Sequence, residues 1–202
     1  MEPFARLTSR AAPLPQANID TDIILPARFL LNTEKRGLGR YAFYEWRKAG
    51  QFVLDLPLYA GAQILVAGDN FGCGSSREQA PWSILDLGIR CIVAPSFGEI
   101  FRGNCLCNGI LPIVLPQSEW LLVLDAAEAG DTVTVDLSAQ KILLHQGQVI
   151  EFAFDPAEKE ALLLGCDEID GIRSKYGMDI AKFEVRQRIV APWLWDKELV
   201  DG

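Results

Sequence analysis

The stretch from Gly68 to Trp82, GDNFGCGSSREQAPW, carries the side chains of this sequence that are best suited to chemistry. Two glycines surround a cysteine, and two serines and an arginine follow. The stretch lies between an apolar run typical of a strand and a run with helical spacing. A strand, a glycine-rich turn and a helix start together present free backbone N–H groups, which attract anions.

The side chains of this loop suit the same purpose. Gly72 and Gly74 allow a sharp turn and a close approach of the backbone to a ligand. Ser75 and Ser76 add two hydroxyl groups, and Arg77 adds a planar guanidinium that fits a carboxylate or a phosphate. The sequence therefore predicts an anion-binding loop.

A structural interpretation of the same loop stays open. Ser75 and Glu78 fit the S-x-x-E capping box, in which the serine hydroxyl caps the following helix. The known nucleotide-binding loops and the nucleophile elbow do not match, because their glycines fall at other positions. The single histidine, His145, lies in a polar hairpin and is predicted to be a surface residue, so no self-contained Ser-His-Asp triad is expected.

A second polar cluster, Asn18 to Asp22, precedes an apolar segment. Taken alone, Asp20 and Asp22 are best interpreted as residues of a turn or a helix cap. Two carboxylates so close together could instead orient a histidine or an arginine of a partner.

Composition excludes several classes of protein. The formal net charge of -8 argues against nucleic acid as a partner. No apolar run approaches the ~20 residues of a membrane helix. Five cysteines and no recognisable secretory leader indicate a reducing compartment, so a cytoplasmic protein is expected.

The cysteines are not predicted to bind metal. Cys73, Cys91 and Cys166 are interpreted mainly as core residues. Cys105 and Cys107 form a C-x-C pair, which is too few thiolates for a cluster held by this chain alone. No metal ligand is assigned.

The order of predicted elements indicates the fold class. The apolar runs QILVAGDN, RCIVAPS and LPIVLP read as strands separated by helices, and alternating residues after Gly130 read as antiparallel strands. A helical tail follows at about residues 156–190. This order predicts an α/β domain with a mixed sheet, and the absence of a linker predicts one domain over residues 1–202.

Four segments carry a family resemblance: NIDTDIILPARFL, NFGCGSSREQAPW, IVAPSFGEIFRGN and NGILPIVL. In this order, the chain resembles the small subunits of 3-isopropylmalate dehydratase (isopropylmalate isomerase) of the aconitase superfamily. The resemblance implies the layered β/β/α fold of the aconitase swivelling domain. It also implies a hydro-lyase of leucine biosynthesis that isomerises 2-isopropylmalate to 3-isopropylmalate by dehydration and rehydration. Activity would require a large subunit that carries a [4Fe-4S] cluster, in a heterodimer or a higher assembly.

The resemblance also implies roles for individual residues. Ser75 would be the base that removes a proton from carbon, and Ser76 and Arg77 would hold a carboxylate of the dicarboxylate substrate beside Gly74. Asp22 would support a catalytic histidine of the large subunit.

Two positions bear on the substrate. Leu31 matches a position that resembles an arginine in relatives acting on tricarboxylates, so an apolar residue there favours an alkylmalate; a core leucine is the alternative. Gln79 replaces the histidine that usually follows SSRE in the family, which leaves open a dehydratase for methylmalate or dimethylmalate. A non-catalytic module that binds dicarboxylates is the other alternative.

Overall fold

The computed structural model describes residues 1–30, 36–50, 52–74, 76–166 and 168–195. Within these residues, one sheet contains seven strands. They are β1 (Arg6–Leu14), β2 (Ile64–Ala67), β3 (Cys91–Ala94), β4 (Leu111–Val114), β5 (Thr132–Asp136), β6 (Lys141–Leu143) and β7 (Val149–Glu151).

The strand order in the sheet is β4-β3-β2-β1-β5-β6-β7. Strands β1 to β4 are parallel, and β5 to β7 are antiparallel to their neighbours. Strand β1 joins the two parts, because residues 6–10 pair with β5 and residues 11–14 pair with β2. The predicted α/β class with a mixed sheet is confirmed.

Helices connect the parallel strands and follow the antiparallel ones. They are α1 (Thr21–Ile24), α2 (Tyr44–Lys48), α3 (Gln79–Asp86), α4 (Glu99–Cys107), α5 (Gln117–Glu128), α6 (Pro156–Leu164) and α7 (Glu168–Val190). Short 3-10 turns cover Ala27–Phe29, Gly39–Tyr41, Val53–Asp55, Pro57–Tyr59, His145–Gly147 and Pro192–Leu194. No described helix is both long and apolar enough to cross a membrane.

Two hydrophobic clusters cover the parallel strands, since successive side chains of a strand point to opposite faces of a sheet. Ile64 and Val66 of β2 belong to one cluster, together with Trp120 of α5. Leu65 belongs to the other cluster, together with Phe101 of α4. Helices α4 and α5 are therefore fixed to the sheet by buried side chains.

The chain divides into two compact units, residues 1–165 and residues 166–202. The first contains the sheet and helices α1 to α6. In the second, the described residues form α7 and the turn at Pro192–Leu194, and Met178 and Ile189 of α7 are exposed. The assignment of residues 1–202 to a single domain stays a prediction.

Candidate active site

The two polar clusters of the sequence meet at one end of the parallel strands. The segment after β1 reaches Asp20, which forms an isolated parallel bridge with Cys73 in the loop after β2. A second bridge joins Phe71 of that loop to Phe97, which follows β3. In open α/β sheets, ligands bind at the carboxyl ends of the strands. The loop therefore lies where the fold class places a ligand site.

The backbone of the loop is tightly packed at Gly72. This residue has φ +74°, and a Cβ atom built on it would lie 2.2 Å from Cγ of Phe101. Its N–H donates to the carbonyl of Ile19 at 2.7 Å. Only glycine fits here, because both the left-handed conformation and the aromatic ring exclude a side chain.

Arg77 and Asp22 are brought into contact, although 55 positions separate them in sequence. Nη2 of Arg77 donates to Oδ1 of Asp22 at 2.7 Å. The side chain of Arg77 is 27% exposed and that of Asp22 is 58% exposed. The guanidinium is thus held in place at the protein surface, where a dissolved carboxylate can reach it.

The two aspartates of the cluster have different surroundings. Asp20 caps α1, since its Oδ1 accepts a hydrogen bond of 2.7 Å from the N–H of Ile23. The N–H of Thr21 donates to the carbonyl of Cys73 at 3.0 Å, which attaches α1 to the loop. The helix-cap interpretation is confirmed for Asp20, whereas Asp22 faces Arg77.

The capping-box interpretation of the loop stays a prediction, because it depends on the side chain of Ser75. Helix α3 begins at Gln79, and Glu78 is its N-cap residue without a side-chain cap bond. Gly74 and Ser76 are exposed, and Gly74 has φ +99°. Ser75 and Leu31 lie outside the described residues.

Two asparagines of the α4 region contact the loop and were not predicted as functional. Nδ2 of Asn104 donates to the carbonyl of Ser76 at 3.4 Å. Nδ2 of Asn108, the residue after α4, donates to Oε1 of Glu78 at 2.7 Å. The available signal was their spacing of four residues in FRGNCLCNG, which places both amides on one helix face.

A cleft of about 270 Å³ lies beside Asp22. Ile23 and Trp46 contribute apolar surface to it, and Asp20, Asp22 and Glu45 contribute carboxylates. Glu45 pairs with Arg28, and this hydrogen bond lowers the pKa of the Glu45 carboxyl group. The cleft therefore combines apolar walls with a charged rim.

The surroundings of the cysteines bear on the prediction that they bind no metal. In the described part of the chain, no group of three or more His, Cys, Asp or Glu side chains could hold a metal ion. Cys91 and Cys105 are buried, and burial raises the pKa of both thiols, which disfavours the thiolate that a metal requires. The core interpretation is confirmed for Cys91, whereas Cys73 and Cys166 are only partly buried.

The predicted surface position of His145 is confirmed. It is exposed in the 3-10 turn between β6 and β7. These strands form the edge of the sheet opposite to β4. His145 therefore lies away from the strands that carry the loop.

The chain is similar in sequence to known proteins of one family. The family model described as the aconitase C-terminal domain matches residues 1–118, and a second, described as LeuD_N, matches residues 123–156. The 3-isopropylmalate dehydratase small subunit of Parvibaculum lavamentivorans is 50% identical over 202 residues, with 96% of this chain and 100% of the relative covered. The protein of the same name from Phenylobacterium zucineum is 47% identical, with 96% and 98% covered.

A solved structure extends the similarity to three dimensions. The 3-isopropylmalate dehydratase of Methanocaldococcus jannaschii is 26% identical and superposes with a TM-score of 0.69. The similarity covers 88% of this chain and 99% of that one. The predicted fold of the aconitase type is confirmed. The chain belongs to the family of 3-isopropylmalate dehydratase small subunits, in the aconitase superfamily.

Proposed function

We propose that this chain is the small subunit of 3-isopropylmalate dehydratase. This hydro-lyase of leucine biosynthesis converts 2-isopropylmalate to 3-isopropylmalate by removing water and adding it back in the other orientation. The relatives at about half identity over nearly the whole chain support this assignment. The structural observation that carries it is the Arg77 guanidinium, held by Asp22 at the ends of the parallel strands.

Arg77 binds a carboxylate of the dicarboxylate substrate. Its planar guanidinium can make two parallel hydrogen bonds to a carboxylate, and such pairs are stronger than neutral hydrogen bonds. The contact with Asp22 uses Nη2 and orients the guanidinium before the substrate arrives. Ser76 is exposed, and its hydroxyl group adds a further contact to the substrate beside Arg77.

Ser75 removes the proton from the carbon next to that carboxylate. Such a proton is weakly acidic, so the serine oxygen must act as an alkoxide, which requires nearby N–H dipoles and a cation. Gly74 and Arg77 lie within two residues of Ser75 in the sequence and can supply a backbone N–H and a cation. The proton moves to the Ser75 oxygen while the hydroxyl group leaves the adjacent carbon and takes a proton from an acid of the large subunit to form water, and rehydration reverses these steps.

The remaining catalytic groups come from the large subunit. Asp22 is 58% exposed, so its second carboxylate oxygen can accept a hydrogen bond from a histidine of that subunit. We also assign the [4Fe-4S] cluster, which supplies Lewis-acid chemistry, to the large subunit. The buried thiols Cys91 and Cys105 do not fit such a group. We place the complex in the cytoplasm, as the composition predicts.

The substrate is an alkylmalate with an isopropyl group. The names of the relatives do not favour the methylmalate or dimethylmalate alternatives. Leu31 would contact the alkyl group, and Gln79 would preserve hydrogen bonding where the family usually has histidine. Ile23 and Trp46 give the cleft beside Asp22 apolar surface for the alkyl group, and Asp22 also holds Arg77, the proposed ligand of the carboxylate.

Turnover by mixed subunits tests this function. This chain, its large subunit, and the mixture are assayed anaerobically with 2-isopropylmalate, and the ultraviolet absorbance of the unsaturated intermediate is followed. We expect activity only in the mixture and loss of activity with Ser75→Ala. Ser138→Ala, at an exposed serine between β5 and β6, is the matched control and should remain active. Full activity of the Ser75 variant would refute the base assignment, and an inactive wild-type mixture would refute the substrate.

A further inference from the structure

One face of α4 and of the residues flanking it contacts both ends of the anion-binding loop, at Phe71 and Gly72 and at Ser76 and Glu78. Four residues make these contacts: Gly98, Phe101, Asn104 and Asn108. Their spacings of three, three and four residues place them on the same side of the helix. Both ends of the loop are therefore held against this face.

The first two contacts fix the start of the loop. The N–H of Gly98 donates to the carbonyl of Phe71 at 2.9 Å. The ring of Phe101 occupies the space that a side chain at residue 72 would need. Phe101 is 1% exposed, so this end of the loop rests on the buried core.

The last two contacts flank Arg77. Ser76 is held through its carbonyl by Asn104, and Glu78 is held through its carboxylate by Asn108. Asn108 is only 7% exposed, and its Nδ2 also donates to the carbonyl of Asn104 at 2.8 Å. A buried amide with fixed partners has little freedom, and an unmatched polar group there would be costly. Both neighbours of Arg77 are thus attached to α4.

We propose that Glu78 and Asn108 are a positioning pair that directs the Arg77 guanidinium toward the substrate carboxylate. This inference rests on the function proposed above. Arg77 has to reach Asp22 on α1 from a loop attached to α4. A displacement of about 1 Å at a binding group can reduce activity by about 100-fold. The pair sets the position of Arg77 without touching the substrate.

The decisive variants change Glu78. Glu78→Ala removes the hydrogen-bond acceptor, whereas Glu78→Gln keeps a side-chain oxygen that can accept from Asn108. For the complex with the large subunit, we expect Glu78→Ala to raise KM for 2-isopropylmalate at least fivefold and Glu78→Gln to stay within twofold of wild type. Asn108→Ala should raise KM similarly, with no further increase in the double variant of Glu78→Ala and Asn108→Ala, because both changes remove the hydrogen bond between Asn108 and Glu78.

A control on the same helix separates positioning from a general loss of stability. Arg102 of α4 makes two hydrogen bonds to Glu158 of α6, at 2.8 and 2.6 Å. Arg102→Gln should lower Tm and leave KM within twofold of wild type. An equal rise of KM in this control would overturn the proposal, because any weakening of α4 would then have the same effect.

Amide hydrogen exchange gives a readout that does not depend on activity. In the isolated chain, we expect peptides covering residues 76–80 to exchange at least tenfold faster in Glu78→Ala and at the wild-type rate in Glu78→Gln. Unchanged exchange in Glu78→Ala would refute the role of Glu78 and Asn108 as a positioning pair, whatever the activity of that variant. A wild-type complex that is inactive on 2-isopropylmalate would refute the proposed function and the proposed contact of Arg77 with the carboxylate of that substrate. The exchange data would still decide whether Glu78 and Asn108 hold the loop.

Discussion

Arg77→Lys is the substitution that most directly tests the proposed binding of substrate. Lysine keeps the positive charge but replaces a planar guanidinium by a single ammonium group, which cannot make two parallel hydrogen bonds to a carboxylate. One charged hydrogen bond contributes about 1.5–3 kcal/mol. Its loss therefore lowers kcat/KM by about 10- to 150-fold.

The same substitution should hardly affect folding. The Arg77–Asp22 pair is partly exposed, at 27% and 58%, and ion pairs of this kind contribute only about 0–1 kcal/mol. Arg47–Asp55 provides a control pair of similar exposure, with an N–O distance of 2.8 Å and side chains 29% and 41% exposed. Nη1 of Arg47 also donates to the carbonyl of Gly39 at 3.1 Å, so Arg47→Lys should lower the free energy of unfolding at least as much as Arg77→Lys and leave kcat/KM unchanged.

The assay combines steady-state kinetics of the complex with urea unfolding of the isolated chain. The expected pattern is a large fall of kcat/KM for Arg77→Lys only, with an unfolding midpoint for Arg77→Lys close to that of wild type. A kcat/KM within twofold of wild type for Arg77→Lys, in a complex that still assembles, would refute the role of the guanidinium. A similar fall in both variants would show that the effect is not specific to this site.

Three further predictions follow from local geometry. Gly72→Ala should destabilise the chain by about 1–3 kcal/mol in urea unfolding, because the added Cβ meets the Phe101 ring at a positive φ; wild-type stability would contradict the packing. Asp20→Ala should cost about 1 kcal/mol by removing the cap of α1, whereas Asp20→Asn should restore most of it. The Glu45 carboxyl should titrate below its ordinary pKa by NMR and return toward it in Arg28→Gln. Because the folded pKa is lowered, the small stabilisation exists at higher pH and is lost as the pH falls through that pKa.

The parallel half of the sheet could be predicted from local patterns. Runs such as ILVA in β2 and CIVA in β3 are apolar throughout because both faces of these strands are buried. Strand β1 could not be predicted from a local pattern. Its first five residues alternate in burial and its last four are mostly buried, since it leaves one partner strand for another at residue 11. No single period describes such a strand.

The site could be predicted only in part, for a related reason. The residue types of the loop indicated an anion site, but the contacts that hold its residues could not be predicted from local patterns. Ser76, Glu78 and Arg77 bond to residues of α4, its C-terminal end and α1, which are distant in sequence. Tertiary hydrogen bonds of this kind leave no signature in a short stretch of sequence.

The proposed site is exposed to water in this chain. Gly74 and Ser76 are exposed and Asp22 is more than half exposed, so water surrounds the groups that would bind substrate. A serine alkoxide and an arginine that binds a carboxylate are effective only where water is excluded, since bulk solvent weakens each electrostatic contact. A second protein surface covering the loop would supply that exclusion without changing a residue of this chain. We therefore expect the large subunit to contribute low dielectric as well as catalytic groups, and the small subunit to contribute a binding surface that α4 holds in place beforehand.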